Sequence, residues 1–329
     1  MPVTSPTILI VAQNGRLTFE AILFAASLRA STPNYAGELV VAEPESGPLW
    51  SSSPEMTDTD ARDLLIELGA DIRSFHSHHF GDAYPTGNKV EALSVLEPDE
   101  PFIFFDTDTI ITGPLDEITF NRNYPTASMA RSATWPELPL YGPGYNEIWQ
   151  SIYNRFGVDM APTLDTSKPA DDWERYLYFN AGWFFARDPE RLRSKLIEVM
   201  TALRDDPHPE LASQALYPWL DQIALPIAIA HLGGGRPGSG LSGLDGCTSC
   251  HWRALPLFYA KASDTQVEFL EEIARPNKIK RVLKVYEPFR KYLYQGRGAR
   301  ARSLFDQNNL PKNEQAIRKR LKQARLWMR

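Results

Sequence analysis

Cysteine is nearly absent from this chain, with two in 329 residues, Cys247 and Cys250. Two thiols so close in sequence cannot build the disulfide framework of a small secreted domain. With His251 they spell Cys-Thr-Ser-Cys-His, the attachment pattern of c-type haem. That reading needs an exported protein and a second axial ligand, and Met1–Val11 lacks the basic stretch and apolar core of a secretory signal. A zinc site would need two further Cys or His ligands at suitable spacing, and none is evident. Reduced, buried thiols are the expectation. Long apolar runs are also missing. The longest apolar helix candidate, Ile223–Ala230, is far too short to span a bilayer. There is no internal repeat and no low-complexity tract. The glycine-rich stretch Gly233–Gly246 is not followed by Lys-Ser/Thr, so it is no phosphate-binding loop of the usual kind.

What is present is an ordinary globular composition, 43% hydrophobic and 23% charged, enough to bury a large core. The net charge of −6 hides an asymmetry. Residues 275–329 carry 17 Lys and Arg against 3 Asp and Glu, and the remainder carries 18 against 38. A strongly basic tail on an acidic body is expected to meet something anionic. The division is therefore 1–274 for the main domain and 275–329 for a basic helical extension.

Hydrophobic periodicity orders the first half. Strands are expected over Thr7–Ala12, Glu38–Ala42, Asp71–Phe75 and Pro101–Phe105. Helices are expected over Leu17–Arg29, Asp58–Leu68 and Lys89–Leu96. This alternation predicts an α/β protein with a doubly wound, mainly parallel sheet and helices on both faces. Between Tyr124 and Tyr178 the pattern turns irregular and aromatic (Trp135, Tyr141, Tyr145, Trp149, Tyr153, Trp173, Tyr176, Tyr178), a candidate binding surface for sugar or base faces. Further along, Gly182–Ala186 reads as a strand, and Pro189–Arg204 and Pro218–His231 as helices.

The densest signal is Phe102-Ile103-Phe104-Phe105 followed by Asp106-Thr107-Asp108. The apolar run is a strand buried on both faces, and two carboxylates stand where it ends. Residues two apart in an extended chain point the same way, so Asp106 and Asp108 can share one ligand. Like charges that close need a cation, and Mg²⁺ or Mn²⁺ bridged to phosphate oxygens is the usual answer.

Two enzyme families use this pattern. In haloacid dehalogenase-like phosphatases Asp106 would be the nucleophile and Asp108 the acid/base. Their motif opens the domain, whereas three strand–helix units precede it here. Their downstream acidic pair follows an apolar strand, which neither Asp171-Asp172 nor Asp205-Asp206 does. The chain more closely resembles nucleotide-sugar glycosyltransferases of the GT-A fold, in particular family 8-like retaining enzymes. The resemblance rests on the Asp-x-Asp, on Asn88-Lys89-Val90-Glu91-Ala92-Leu93 just before it, on Asn180-Ala181-Gly182, and on Asp221-Gln222, and it covers residues 7 to about 260.

That resemblance implies a metal held by Asp106, Asp108 and a late histidine, and a donor that is a nucleotide sugar, UDP-sugar first. It implies donor contacts at Ala12, Asn14, Lys89, Asp106, Thr107, Ala181, Gly182 and Lys261, with Asn180, Asp221 and Gln222 at the transferred sugar, and retention of configuration. The family's segment around the histidine is not intact here, so His251 is the choice and His231 the rival. The acceptor expected is a cell-envelope glycan or lipid-linked sugar. A non-catalytic sugar- or nucleotide-binding protein is the remaining alternative.

The tail over Lys312–Arg329 reads as a helix. Ile317, Leu321, Ala324 and Met328 form one stripe, and Arg318, Lys319, Lys322, Arg325 and Arg329 lie opposite. An interfacial membrane helix and a helix docked on the acidic body both fit this pattern. Nucleic acid is not expected, because no recognition module accompanies the basic segment. The site of action expected is cytoplasmic, at the inner membrane face if 297–329 meets anionic lipid.

Overall fold

A computed structural model describes residues 2–131 and 134–328. The elements run as β1 (Pro2–Val3), β2 (Thr7–Val11), α1 (Arg16–Ser31), β3 (Leu39–Pro44), α2 (Thr59–Glu67), β4 (Ala70–Phe75), α3 (Asn88–Glu91), β5 (Phe102–Phe105) and β6 (Thr109–Ile111). There follow β7 (Phe120–Asn121), β8 (Thr126–Ala127), α4 (Tyr145–Arg155), β9 (Trp183–Ala186), α5 (Pro189–Asp205), α6 (Leu220–His231), β10 (Ser249–His251) and α7 (Leu255–Lys261). The chain closes with α8 (Asp264–Ile273), α9 (Asn277–Leu283), α10 (Glu287–Tyr294), α11 (Arg297–Arg302) and α12 (Glu314–Gln323).

The central sheet has six strands in the order β4-β3-β2-β5-β9-β8. The first four are mutually parallel, and β9 and β8 add antiparallel pairs at the far edge. Side chains alternate across it, as strand geometry requires. Ile8, Ile10, Val41, Ile103 and Phe105 face one core, and Leu9, Val11, Val40, Phe102 and Phe104 face the other. Both faces are therefore covered, which is why the strands read as unbroken apolar runs. The doubly wound, mainly parallel expectation holds.

Helix α1 explains how the tail is used. Thr18 to Leu28 is buried without interruption, so the helix cannot rest on the sheet alone. The basic C-terminal segment covers its other side, with Phe19 stacked on Tyr286 at 5.3 Å between ring centres. Ile279, Val282, Leu283, Phe289, Tyr292, Ile317, Leu321 and Leu326 belong to the same core as α1.

Several boundaries differ from expectation. The helix predicted through Leu96 is α-helical only over Asn88–Glu91 and tightens to a 3-10 turn over Ala92–Val95. The tail helix is shorter than 312–329, running from Glu314 to Gln323 behind its Asn313 cap. Arg329 lies outside the described residues. The apolar stripe considered for a lipid interface is occupied, since Ile317 is 1% exposed and Leu321 0%. Most of the aromatic stretch is core as well, including Trp135, Trp149, Tyr153, Tyr176 and Tyr178, while Tyr141 is exposed.

Candidate active site

Strand β5 ends at Phe105, and the chain turns through Asp106-Thr107-Asp108 into β6. Thr107 is buried and donates its hydroxyl hydrogen bond to the carbonyl of Val11 at 2.5 Å, tying the turn to the end of β2. His251 arrives by a pairing that no local pattern announces. β10 runs antiparallel to β6 with His251 opposite Thr109, and the Trp252 amide donates to the Asp108 carbonyl at 2.9 Å. That ladder sets His251 Nε2 3.1 Å from Asp108 Oδ1 and 3.7 Å from Asp106 Oδ2.

One ligand atom from each of Asp106, Asp108 and His251 fits within 4.8 Å of the others. Two carboxylates and one imidazole suit Mn²⁺ or Mg²⁺. Burial disfavours charge on His251, but the neighbouring Asp108 and Asp106 outweigh it and raise its pKa. His231, the rival, ends α6. Burial and Lys195 hold its pKa down, and it takes no part in the cluster.

Lys89 sits beneath the turn, buried, with Nζ 2.8 Å from Asp106 Oδ1 and 3.3 Å from Asp221 Oδ2. Burial opposes its charge, yet the two carboxylates prevail and raise its pKa. Asp221 also accepts from the Tyr84 hydroxyl at 2.7 Å, so it is an interior anchor of Lys89. Gln222, next in sequence, instead lines the open cleft and accepts from the Tyr178 hydroxyl at 2.9 Å.

The Asn180-Ala181-Gly182 turn has its own geometry. Ala181 takes φ 55°, a left-handed conformation rare for a residue with a β-carbon. It is stabilised on both sides. Asn180 Oδ1 accepts the Gly182 amide at 2.7 Å, and the Gly182 carbonyl accepts the Asp106 amide at 2.8 Å. Asn180 Nδ2 donates to the Ala130 carbonyl, so its side chain shapes the turn as well as lining the cleft. Ala12 is buried, and Asn14 is exposed with its side chain accepting from Thr57 at 3.0 Å. Lys261 is turned to Glu314 at 2.9 Å, beside a second hollow shared with His251.

The cleft above Asp106, Asp108 and His251 has a volume of about 370 Å³. Beyond the expected residues its lining includes Arg131, Trp135, Tyr178, Trp219, Arg253 and Arg318, with Thr134 and the acidic Glu137 at the same wall. Arg16, the first residue of α1, lies 3.6 Å from Asp108. Arg16 was legible in principle, since it opens the helix after β2, where α/β sheets bind ligands. Arg131 and Arg318 carried no local signal. They come from a loop and from the last helix.

A family model, the Rhodobacterales glycosyltransferase domain, matches residues 8–233. Doubly wound sheet, Asp-x-Asp at the strand end and family match together define a glycosyltransferase of the GT-A type. The chain belongs to the Rhodobacterales glycosyltransferase family. His251 and the C-terminal helices lie beyond the matched residues. No curated protein matches the chain significantly in sequence. Among solved structures, the galactosyltransferase LgtC in complex with donor and acceptor sugar analogs is 15% identical, covering 71% of this chain and 74% of its own, with TM-score 0.40. The bifunctional glycosyltransferase WbbM is 13% identical over 85% of this chain and 51% of its own, with TM-score 0.47. GlyE of Streptococcus pneumoniae TIGR4 is 15% identical over 88% and 65%, with TM-score 0.43. No described helix is long and apolar enough to cross a membrane.

Proposed function

We propose that the protein transfers a sugar, with metal dependence and retention, from a nucleotide-diphosphate donor, UDP-sugar first, to a cell-envelope glycan or lipid-linked acceptor. The observation that carries this reading is the convergence of Asp106, Asp108 and His251 beside a cleft lined by Gln222 and Asn180. Mn²⁺ or Mg²⁺ held by those three side chains would neutralise charge developing on the leaving diphosphate. Lys89 stays protonated between Asp106 and Asp221 and fixes the Asp106 carboxylate. Gln222 and Asn180 orient donor hydroxyls, with Tyr178 holding Gln222. Ala12, Asn14, Thr107, Ala181 and Gly182 would meet the donor through their backbone, since all but Asn14 have buried side chains or none, and Lys261 supports a phosphate once it leaves Glu314. Residues 1–274 supply this chemistry. Residues 275–329 brace α1, and their outward basic face gives a cytoplasmic enzyme a contact with anionic membrane by charge alone.

Attack as a phosphatase nucleophile is a poorer use of Asp106, because the family is a transferase family. The test is thermal-shift screening of nucleoside diphosphates with and without Mn²⁺, followed by assay of nucleoside diphosphate release from the matching sugar donor. Stabilisation by one nucleotide only with Mn²⁺, and release with acceptor, is the expected result. Equal stabilisation in chelator would remove the metal from the account.

A further inference from the structure

Three guanidinium groups line the cleft, those of Arg131, Arg253 and Arg318. Arg253 and Arg318 share the Glu314 carboxylate, at 3.5 and 2.9 Å. Arg131 has no carboxylate within ion-pair distance among the described residues. Its guanidinium lies 4.4 Å from the ring centre of Trp173 and 5.4 Å from that of Tyr178. Nη2 reaches the Tyr176 carbonyl only at 3.5 Å, and Nη1 is buried without a hydrogen-bond partner among the described residues. Burial, reinforced by nearby Arg236 and only partly offset by Tyr178, Glu174 and Asp172, lowers its pKa to about 10, so it remains charged at neutral pH. Arg236 is itself part-buried; among the described residues it bonds the carbonyls of Glu174 and Arg175, and its Nε has no partner.

A part-buried cation with an unmet donor, a like-charged neighbour and carboxylates only beyond ion-pair distance is completed by an anion. Stacking fixes the plane of the fork, and a fixed fork suits the paired oxygens of a carboxylate or phosphate. The donor's phosphates belong at the metal cluster. Arg131 is linked instead to Gln222, through Tyr178, whose hydroxyl bonds Gln222 at 2.9 Å. Trp219, 40% exposed on the cleft wall, offers a face for a sugar ring.

We propose that the acceptor is an acidic sugar, its carboxylate or phosphate held by Arg131 on the Tyr178–Gln222 side of the cleft. This rests on the transferase reading of the cleft. Arg131 binds and orients the acceptor and takes no part in bond breaking.

The test is titration of glucose, glucuronate and glucose 6-phosphate into the full chain with saturating UDP and Mn²⁺ at fixed ionic strength, followed by tryptophan fluorescence. At least one acidic sugar is expected to bind about tenfold tighter than glucose, as one charge-assisted hydrogen-bond pair implies. The two acidic sugars distinguish carboxylate from phosphate. Arg131→Gln should abolish the preference, Arg131→Lys should keep part of it, and UDP affinity should be unchanged in both. Equal or undetectable binding of all three sugars by the unsubstituted protein would overturn the proposal, even if a variant fails to fold. So would a preference that survives Arg131→Gln, or a loss of UDP affinity in that variant, which would assign Arg131 to the donor. Absence of UDP binding with Mn²⁺ in the unsubstituted protein would remove the transferase reading and this proposal with it. UDP binding without acid preference removes only this one.

Discussion

Gly182 stands against His251 with no room for a side chain between them. A β-carbon at Gly182 would fall 2.5 Å from His251 Nδ1 and 2.8 Å from Asn180 Oδ1. The glycine of the Asn-x-Gly turn is thus what lets the imidazole reach the aspartates. Gly182→Ala is expected to push the ring aside and weaken Mn²⁺ binding by about 10–100-fold, the usual effect of disturbing a ligand's support. Mn²⁺ titration alongside a melting curve checks this. Unchanged metal affinity in a folded variant would show that His251 is not a ligand.

Lys89 is the only counter-charge found within ion-pair distance of Asp221 among the described residues, and it shares itself with Asp106. Lys89→Met leaves two carboxylates without it, one of them buried. The expected loss is about 3–5 kcal/mol by urea unfolding at neutral pH without metal. Adding Asp221→Asn should recover part of it. A loss below about 1 kcal/mol would mean that the pair is solvated and not structural.

Glu314 holds together the cations of Lys261, Arg318 and Arg253. Burial pushes its pKa up, but the bonds from Lys261 and Arg318 and the charge of Arg253 prevail and lower it from 4.5 to about 2. The folded value is depressed, so the stabilisation is complete above about pH 4.5 and fades as pH falls toward 2. Glu314→Gln should lose about 1–2 kcal/mol at pH 7, after allowance for solvent screening, and converge with the parent near pH 2. A pH-independent difference would point to packing as its origin.

The last helix makes a separate prediction. With Leu321 fully buried, Leu321→Ala should cost about 2–5 kcal/mol of unfolding free energy in lipid-free buffer. Lys319→Glu, on an exposed position, should leave stability within about 0.5 kcal/mol. If Leu321→Ala changed only vesicle binding, the helix would be a membrane element held loosely by the body.

Local chemistry made much of this legible. Phe102–Phe105 announced a strand covered on both faces, Asp58 and Asp188 cap the helices they precede, and Asp106 with Asp108 marked the strand end. His251 and His231 were both candidates in the sequence, and the β6–β10 ladder is what brings His251 beside the aspartates. What stayed hidden depends on distant pairing. Tyr84 meets Asp221 137 residues away, and Arg318 enters the cleft from a tail helix whose partner, lipid or protein, the sequence left open. An amphipathic pattern tells which face is buried but not against what. The same apolar stripe served a lipid interface and a protein core equally well until α1, buried all round, required a cover.

The most direct measurement of the central claim is calorimetric titration of UDP into the protein and into Asp108→Asn, each with Mn²⁺ and with excess chelator. Binding is expected in the unsubstituted protein with Mn²⁺, falling by at least about tenfold in chelator. In Asp108→Asn the two conditions are expected to be equal and weak. Tight UDP binding that ignores both the chelator and the substitution would contradict the account at its centre.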